Sequence, residues 1–137
     1  MSVAPVTQEA EVQIVEELVA RARAAQRRFE LGANQERYDN TALAAAWALM
    51  EPARNEELAT MAVETTGLGN VRDKITKNHR KTLGLLRDIK GSKTHGVISD
   101  NPDTGITEIA RPVGVVGAVV PSTNPVATPT NNVINAL

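Results

Sequence analysis

The most constraining feature of this sequence is an apolar run, residues 113–120, that ends abruptly at Pro121. Its valines and alanine do not alternate with polar residues, and Gly114 and Gly117 allow a neighbouring backbone to approach closely. Such a run is typical of a strand covered on both faces inside a parallel sheet. We therefore expect a buried strand here, and a solvent-exposed or helical course would count against this interpretation.

The stretch after this run returns to a helical pattern. Small and apolar residues recur at helical spacing at Val126, Thr130, Val133, Ile134 and Leu137. Pro129 falls in the first turn, where a missing N–H group is harmless. Strand, tight turn and helix together predict the first half of a βαβ unit. Because this strand needs flanking strands that the chain does not supply, we expect the natural protein to continue beyond residue 137.

Helices are predicted for most of the chain before residue 93. They cover residues 7–31, 35–51, a segment from Asn55 to the Gly-Leu-Gly of 67–69, and 70–90. Thr7 and Asn34 are the expected N-caps of the first two helices, Gly32 stands where the first ends, and Pro52 ends the second. The residues expected to face inward from the fourth helix are Ile75, Leu83, Leu86 and Ile89.

A different pattern follows in residues 94–113. Two short extended runs flank Asp-Asn-Pro-Asp-Thr-Gly, residues 100–105, which is rich in turn-forming residues. The pattern predicts a β-hairpin or β-arm. Because the arm has little apolar area of its own, we expect it to rest on another part of the protein.

The composition excludes several kinds of site. The 137 residues include no cysteine, so the chain has no disulfide, thiolate metal site or thiol nucleophile. Two histidines, His79 and His95, are too few for a histidine-based metal site, and we predict no metal. A formal net charge of −1 argues against a nucleic-acid partner. No apolar run approaches the roughly 20 residues of a membrane span, and no signal peptide is recognised, so we expect a cytoplasmic protein.

Four polar or turn-forming residues lie beyond the carboxyl end of the predicted strand: Pro121, Ser122, Thr123 and Asn124. Ligands of open α/β sheets bind at this edge, and the start of the following helix presents N–H groups to an anion. The stretch lacks the G-x-G-x-x-G pattern, and proline and asparagine are also ordinary turn formers. From the residues alone, a site for a dinucleotide or a reacting carbonyl and a turn without a ligand both stay open.

Three segments of this sequence resemble segments of one protein family, and they follow one another in the order found in that family. "RPVGVVGAVVPSTNP" (111–125) is similar to the segment that opens the cofactor-binding domain of aldehyde dehydrogenases. "LATMAVETTGLGNVRDKITKNH" (58–79) and "GVISDNPDTGITEIARPVG" (96–114) resemble the helical region and β-arm of the CoA-acylating branch. "TNPVATP" (123–129) is similar to acylating dehydrogenases of anionic aldehydes, such as succinate semialdehyde or sulfoacetaldehyde. The resemblance covers roughly residues 9–137.

The resemblance implies an activity. In the family a cysteine thiolate attacks the aldehyde, hydride passes to NAD or NADP, and coenzyme A, the cosubstrate, takes the acyl group from the resulting thioester. Because this chain has no cysteine, the nucleophile would lie downstream of it. The substrate would be a small aldehyde, including an anionic one. The β-arm would join subunits of a homo-oligomer.

The resemblance also implies roles for the residues of the turn. Hydrolytic aldehyde dehydrogenases commonly read Pro-Trp-Asn-Phe-Pro here, and the asparagine amide helps to bind the oxyanion. This chain reads Pro-Ser-Thr-Asn-Pro, so its asparagine stands one position later. We expect Asn124 to be the catalytic oxyanion donor, with Thr123 as the alternative. Val120, Pro121, Ser122 and Thr123 would line the nicotinamide-ribose side of the cofactor.

These observations predict an α/β fold: N-terminal helices, a β-arm and the first strand-turn-helix of a Rossmann-like parallel sheet, an incomplete aldehyde dehydrogenase fold. The expected segments are residues 1–93, the helical N-terminal part of the cofactor-binding domain; 94–112, the β-arm or oligomerisation segment; and 113–137, the first βα unit. Because the nucleophile is missing, a non-enzymatic helical interaction module is a second hypothesis. A stand-alone nucleotide-binding protein is a third.

Overall fold

The computed structural model describes residues 8–137, which form five helices and a two-stranded sheet. In chain order the elements are α1 (Gln8–Glu30), α2 (Gln35–Met50), α3 (Pro52–Thr66), α4 (Val71–Ile89), β1 (Gly96–Asn101), β2 (Ile106–Ala110) and α5 (Ala127–Asn135). The mixed helix-and-strand class predicted from the sequence is confirmed. The described residues divide into two compact units, one containing α1 and residues 112–116, the other containing residues 34–111 and 117–137.

Helix α1 has acidic residues in its first turn and basic residues in its last, the arrangement that complements the helix dipole. Gly32 follows the helix with φ = 72°, which confirms the predicted end, since glycine adopts this left-handed conformation without steric cost. The apolar stripe is exposed: Val12 and Val15 are more than half exposed, and no residue of α1 is buried. The predicted cap, Thr7, lies outside the described residues.

The boundary between α2 and α3 depends on two side-chain caps and a proline. The N–H of Arg37 donates to Oδ1 of Asn34 at 2.8 Å, which confirms Asn34 as the N-cap of α2. Helix α2 ends before Pro52, as predicted, but the predicted start of α3 at Asn55 is wrong. Pro52 is the first residue of α3, because its fixed φ suits that position and it has no N–H to satisfy.

Glu51 caps α3 and titrates differently from an ordinary glutamate. Its carboxylate accepts hydrogen bonds from the N–H of Arg54 at 2.8 Å and from the N–H of Ala53 at 3.2 Å. These bonds, the one from Arg54 above all, favour the charged form and hold the pKa of Glu51 below its ordinary value of 4.5. The charge at this helix start is therefore linked to folding.

We expect Glu51→Gln to lower the free energy of unfolding by an amount that depends on pH. A group whose pKa is depressed in the folded state stabilises the protein above its unfolded pKa and loses this contribution as the pH falls through the folded value. Urea unfolding should show the difference from wild type at pH 7 and its decline below about pH 4.5. Glu57→Gln, on the same helix but away from the cap, measures the effect of net charge alone. A difference that does not change with pH would contradict this prediction.

The apolar core of the second unit lies where α2, α4 and α5 meet. Ala42 and Ala46 of α2 contact Ile134 of α5, and Ala46 and Ile134 are almost completely buried. Half-buried residues surround this cluster: Ala45, Met50, Leu85, Leu86, Ile89 and Leu137. Because alanines occupy the contacting face of α2, the neighbouring helices approach it closely. The alanine face of α2 is therefore a packing surface.

The fully buried positions of α4 are polar, contrary to expectation, and its apolar residues that reach the core are only half-buried. Lys74, Asn78 and Thr82, spaced four residues apart, are its buried residues. Leu83, predicted to face inward, is 45% exposed, whereas Ile75, Leu86 and Ile89 are half-buried. The amide of Asn78 donates to Oδ1 of Asn55 at 2.9 Å, and Asn55 donates to the carbonyl of Ile75 at 3.1 Å. Buried amides are tolerated here because each finds a hydrogen-bond partner.

The predicted β-hairpin is confirmed. Strands β1 and β2 pair antiparallel, with Gly96 opposite Ala110 and Asn101 opposite Ile106, and the register shifts between Val97 and Ser99. In the turn, Oδ1 of Asn101 accepts hydrogen bonds from the N–H groups of Asp103 and Thr104. These bonds close the turn locally, as short polar side chains commonly do.

The strand predicted for residues 113–120 is not formed in this chain. The segment has no regular structure, and Val113 and Val119 are 91% and 96% exposed. A strand is held by hydrogen bonds to a neighbour, and among the described residues β1 and β2 pair with each other alone. The expectation of burial is therefore wrong for this chain, since an apolar run gains no cover where no adjoining strands are present.

Candidate functional site

The five residues predicted as the site are consecutive: Val120 leads into an exposed turn, Pro121 to Asn124, that precedes α5. The N–H of Asn124 donates to the carbonyl of Pro121 at 3.2 Å, which closes the turn. Val120, Pro121, Ser122 and Thr123 are exposed, and Asn124 is half-buried. The side-chain amide of Asn124 forms no hydrogen bond with any residue in 8–137. Its two N–H groups are thus available to a ligand oxygen.

Helix α5 follows this turn without a side-chain cap. Its N-cap position is Val126, which has no hydrogen-bonding side chain. Thr130 closes the first turn by donating, from both its N–H and its hydroxyl, to the carbonyl of Val126. The turn and the helix therefore present backbone and amide groups rather than charge at this point.

A small cavity of about 160 Å³ lies beside Thr123. The start of α4 and the loop before it supply its other walls: Leu68, Gly69, Asn70, Asp73, Lys74 and Lys77. Asn70 is the N-cap of α4, and its amide also donates to the carboxylate of Asp73 at 2.7 Å. The apolar positions of α4 do not indicate that Lys74 faces inward, so the sequence pattern does not predict this cavity. The four-residue spacing of Lys74, Asn78 and Thr82 is the only sequence signal for the buried face that contributes Lys74 to its walls.

Two wider grooves border α4. One, of about 510 Å³, is mainly apolar and lies between α2, α4 and α5, with Leu43, Leu86 and Ile134 among its walls. The other, of about 830 Å³, is open and largely basic, with Lys77, Arg80, Lys81 and Arg87 against Asp73. The first suits packing against an apolar surface, and the second is a solvated charged face.

His95 has a neighbour that its position in the sequence does not reveal. Its ring centroid lies 5.8 Å from that of Tyr38, at a tilt of 33°. The contact joins the start of the β-arm to α2 as an ordinary aromatic pair. Among residues 8–137 no group of histidine, aspartate and glutamate side chains could hold a metal ion. No helix in the same part of the chain is long and apolar enough to cross a membrane.

Comparison with known proteins identifies the family. The family model for the aldehyde dehydrogenase family matches residues 2–137. This chain belongs to the aldehyde dehydrogenase family. The resemblance recognised in three separate segments of the sequence is therefore confirmed.

Several characterised members of the aldehyde dehydrogenase family are similar to this chain. The acylating sulfoacetaldehyde dehydrogenase of Cupriavidus necator is 63% identical over 94% of this chain and 26% of its own length. The acetylating succinate-semialdehyde dehydrogenase of Clostridium kluyveri is 37% identical over 90% of this chain and 26% of its own length. The bifunctional aldehyde-alcohol dehydrogenase of Escherichia coli K12 is 39% identical over 81% of this chain and 12% of its own length. The chain thus spans about a quarter or less of these family members.

Proposed function

We propose that this chain is the N-terminal portion of a CoA-acylating aldehyde dehydrogenase that oxidises a small aldehyde to an acyl-CoA with NAD or NADP. The observation that carries this proposal is the 63% identity to an acylating sulfoacetaldehyde dehydrogenase over 94% of the chain. Family membership favours this function over a stand-alone helical interaction module or nucleotide-binding protein.

The contribution of this chain to the reaction is the turn before α5. When bound, the nicotinamide cofactor accepts hydride from the aldehyde carbon, and coenzyme A takes the acyl group from the enzyme. The exposed backbone of Val120, Pro121, Ser122 and Thr123 fits a ribose-lining role, because its groups are open to a ligand. The thiol nucleophile is supplied from outside this cysteine-free chain.

Asn124 is the proposed oxyanion donor of this turn. When a nucleophile attacks the aldehyde, the carbonyl oxygen becomes an alkoxide that needs fixed hydrogen-bond donors. The Asn124 backbone is held by the Pro121 carbonyl, while its side-chain amide has no partner among the described residues. A positioned and uncommitted amide of this kind supports the assignment. Thr123, which precedes it in the same turn, is the alternative donor.

The β-arm is the proposed contact of a homo-oligomer. Apolar side chains on both of its strands are exposed: Val97, Ile98, Ile106 and Ile109. We expect Ile106→Lys to weaken subunit association in the full-length enzyme, because a buried, unpaired charge at an interface is strongly unfavourable. Light scattering would show a smaller assembly. Thr107→Lys, on the same strand at an exposed polar position, is the control, and an unchanged mass for Ile106→Lys would remove the arm from the interface.

The proposed activity can be tested on the full-length enzyme. Sulfoacetaldehyde, succinate semialdehyde and acetaldehyde would each be supplied with NAD or NADP, with and without coenzyme A. We expect cofactor reduction that depends on coenzyme A and an acyl-CoA product detected by mass spectrometry. Formation of the free acid at a rate independent of coenzyme A would contradict the acylating assignment. Absence of any aldehyde-dependent reduction would contradict the proposal altogether.

A further inference from the structure

We propose that Lys74, with Lys77 beside it, binds the acidic end of an anionic aldehyde in the cavity next to Thr123. This inference rests on the proposed aldehyde dehydrogenase function and adds a substrate class to it. The ligand group would be a sulfonate or carboxylate.

The first observation is the burial of Lys74 without a partner. Its side chain is 6% exposed, although lysine is among the residues that are seldom buried unless paired. The side chain of Lys74 forms no hydrogen bond or ion pair with any residue of the described chain, whereas its backbone N–H donates to the carbonyl of Asn70 at 3.1 Å. A Cβ placed on Gly69 would lie 3.6 Å from Cε of Lys74, so the end of the side chain lies against Gly69, another wall of the cavity. Lys74 is thus a largely buried lysine whose ammonium group borders the cavity without a counterion, an arrangement suited to bind an anion.

The second observation is the balance of charge around the cavity. Lys74 and Lys77 face it together with a single carboxylate, that of Asp73. The amide of Asn70 donates to this carboxylate at 2.7 Å, which engages the acid in the cap of α4. Two ammonium groups therefore stand against one carboxylate that already has a hydrogen-bond partner. An incoming anion would meet a net positive field.

The size of the cavity favours a small acidic group over a coenzyme. Its volume is about 160 Å³, and a water molecule takes about 30 Å³ of liquid, so a sulfonate or carboxylate with a few waters fits. Sites for larger ligands usually have about 300–1,000 Å³. These walls, which are open to solvent on one side, therefore match a single acidic group rather than a whole nucleotide.

The position of the cavity fits the geometry of a short anionic aldehyde. Thr123 is one of its walls, and the next residue is Asn124, the proposed oxyanion donor. In sulfoacetaldehyde a single methylene separates the sulfonate from the carbonyl carbon. The site for its acidic end must therefore lie directly beside the site for its carbonyl. Thr123 joins the two, since it borders both the cavity and the turn.

The test compares Lys74→Met, Lys74→Arg and Lys81→Met in the full-length enzyme. Methionine keeps the packing of the aliphatic stem but removes the charge. Lys81, exposed on the same helix and not a wall of this cavity, is the matched control. We expect Lys74→Met to raise KM for sulfoacetaldehyde about 10- to 100-fold, the factor for losing a hydrogen bond to a charged group. KM for neutral propionaldehyde should not change, Lys74→Arg should recover part of the loss, and Lys81→Met should behave as wild type.

A binding measurement separates this inference from the proposed activity. Sulfoacetate, which has no aldehyde, would be titrated calorimetrically into wild type and each variant, and Lys74→Met should weaken its binding by a similar factor. Wild-type enzyme that oxidises no aldehyde but binds sulfoacetate through Lys74 would contradict the function and keep the anion site. Active enzyme with the same KM for sulfoacetaldehyde in Lys74→Met would overturn the anion site alone.

One further outcome decides between sources of the anion. A rise in KM for NADP or coenzyme A, with KM for sulfoacetaldehyde unchanged, would assign Lys74 to a cofactor phosphate and overturn the substrate assignment.

If Lys74→Met does not fold, Lys77→Met carries the same test, because Lys77 is half-buried and borders the same cavity. We expect a smaller rise in KM for the anionic aldehyde from that variant, and no rise would overturn the proposal.

Discussion

Replacing Asn124 by alanine is expected to lower kcat of the full-length enzyme by about 10²- to 10³-fold, the usual effect of removing one oxyanion donor. The donor acts on charge that develops only in the transition state, so kcat should fall and KM should change little. The structure makes the substitution informative, because the Asn124 side chain makes no hydrogen bond within residues 8–137 whose loss would disturb the turn. Steady-state kinetics with saturating NAD or NADP and coenzyme A measure the effect.

Asn135→Ala is the matched control for this prediction. Asn135 is exposed at the last position of α5, so its replacement changes the same residue type on the neighbouring element and should leave kcat at the wild-type value. An unchanged kcat in Asn124→Ala would contradict the assignment. The same measurement on Thr123→Val would then show whether the hydroxyl of the preceding residue serves as the donor.

Replacing Ile134 by alanine is expected to lower the free energy of unfolding by about 2–5 kcal/mol, the range for deleting most of a buried aliphatic side chain. Ile134 is 3% exposed and contacts Ala42 and Ala46 of α2. The alanines on the opposite face cannot extend to fill the space, so a cavity would remain where α5 packs on α2 and α4. Urea unfolding followed by circular dichroism measures the loss.

Val133→Ala provides the control within the same helix. Val133 precedes Ile134 but is 52% exposed, so we expect a change within about 0.5 kcal/mol, as for other surface substitutions. Equal losses in the two variants would mean that α5 does not use Ile134 to dock on α2. Both positions were expected from the sequence to face inward, and the structure buries only Ile134 of the two.

The sequence predicted local structure well where side chains bond to nearby backbone. Asn34 caps α2 as expected, Gly32 follows α1, and Asn101 closes the turn of the hairpin. Each of these depends on atoms within a few residues of one another. Helix α3 starts three residues before the predicted position, because Pro52 both stops α2 and serves as the first residue of α3, with Glu51 as its cap.

The apolar run at 113–120 shows the opposite case. The resemblance of residues 111–125 to the aldehyde dehydrogenase family is confirmed, but the burial expected from the apolar composition of the run is wrong for this chain. The exposure of Val113 and Val119 contradicts the buried-strand interpretation, and the family match nevertheless stands. The run can be buried only where adjoining strands cover it, so its exposure reports on those strands. Family membership does not depend on whether such strands are present among the described residues.

By itself the sequence indicated the family, through the resemblance of three separate segments. It also determined the caps and turns and the adjacency of the five candidate site residues, because these depend on residues that are close in the chain. Only the tertiary structure decided which helix faces are buried, that α4 turns Lys74 inward, and that Lys74 shares a cavity with Thr123. Periodicity shows which residues lie on one side of an element. Burial and pairing depend on what the other elements place against that side, so distant parts of the chain had to be assembled before the candidate anion site could be seen.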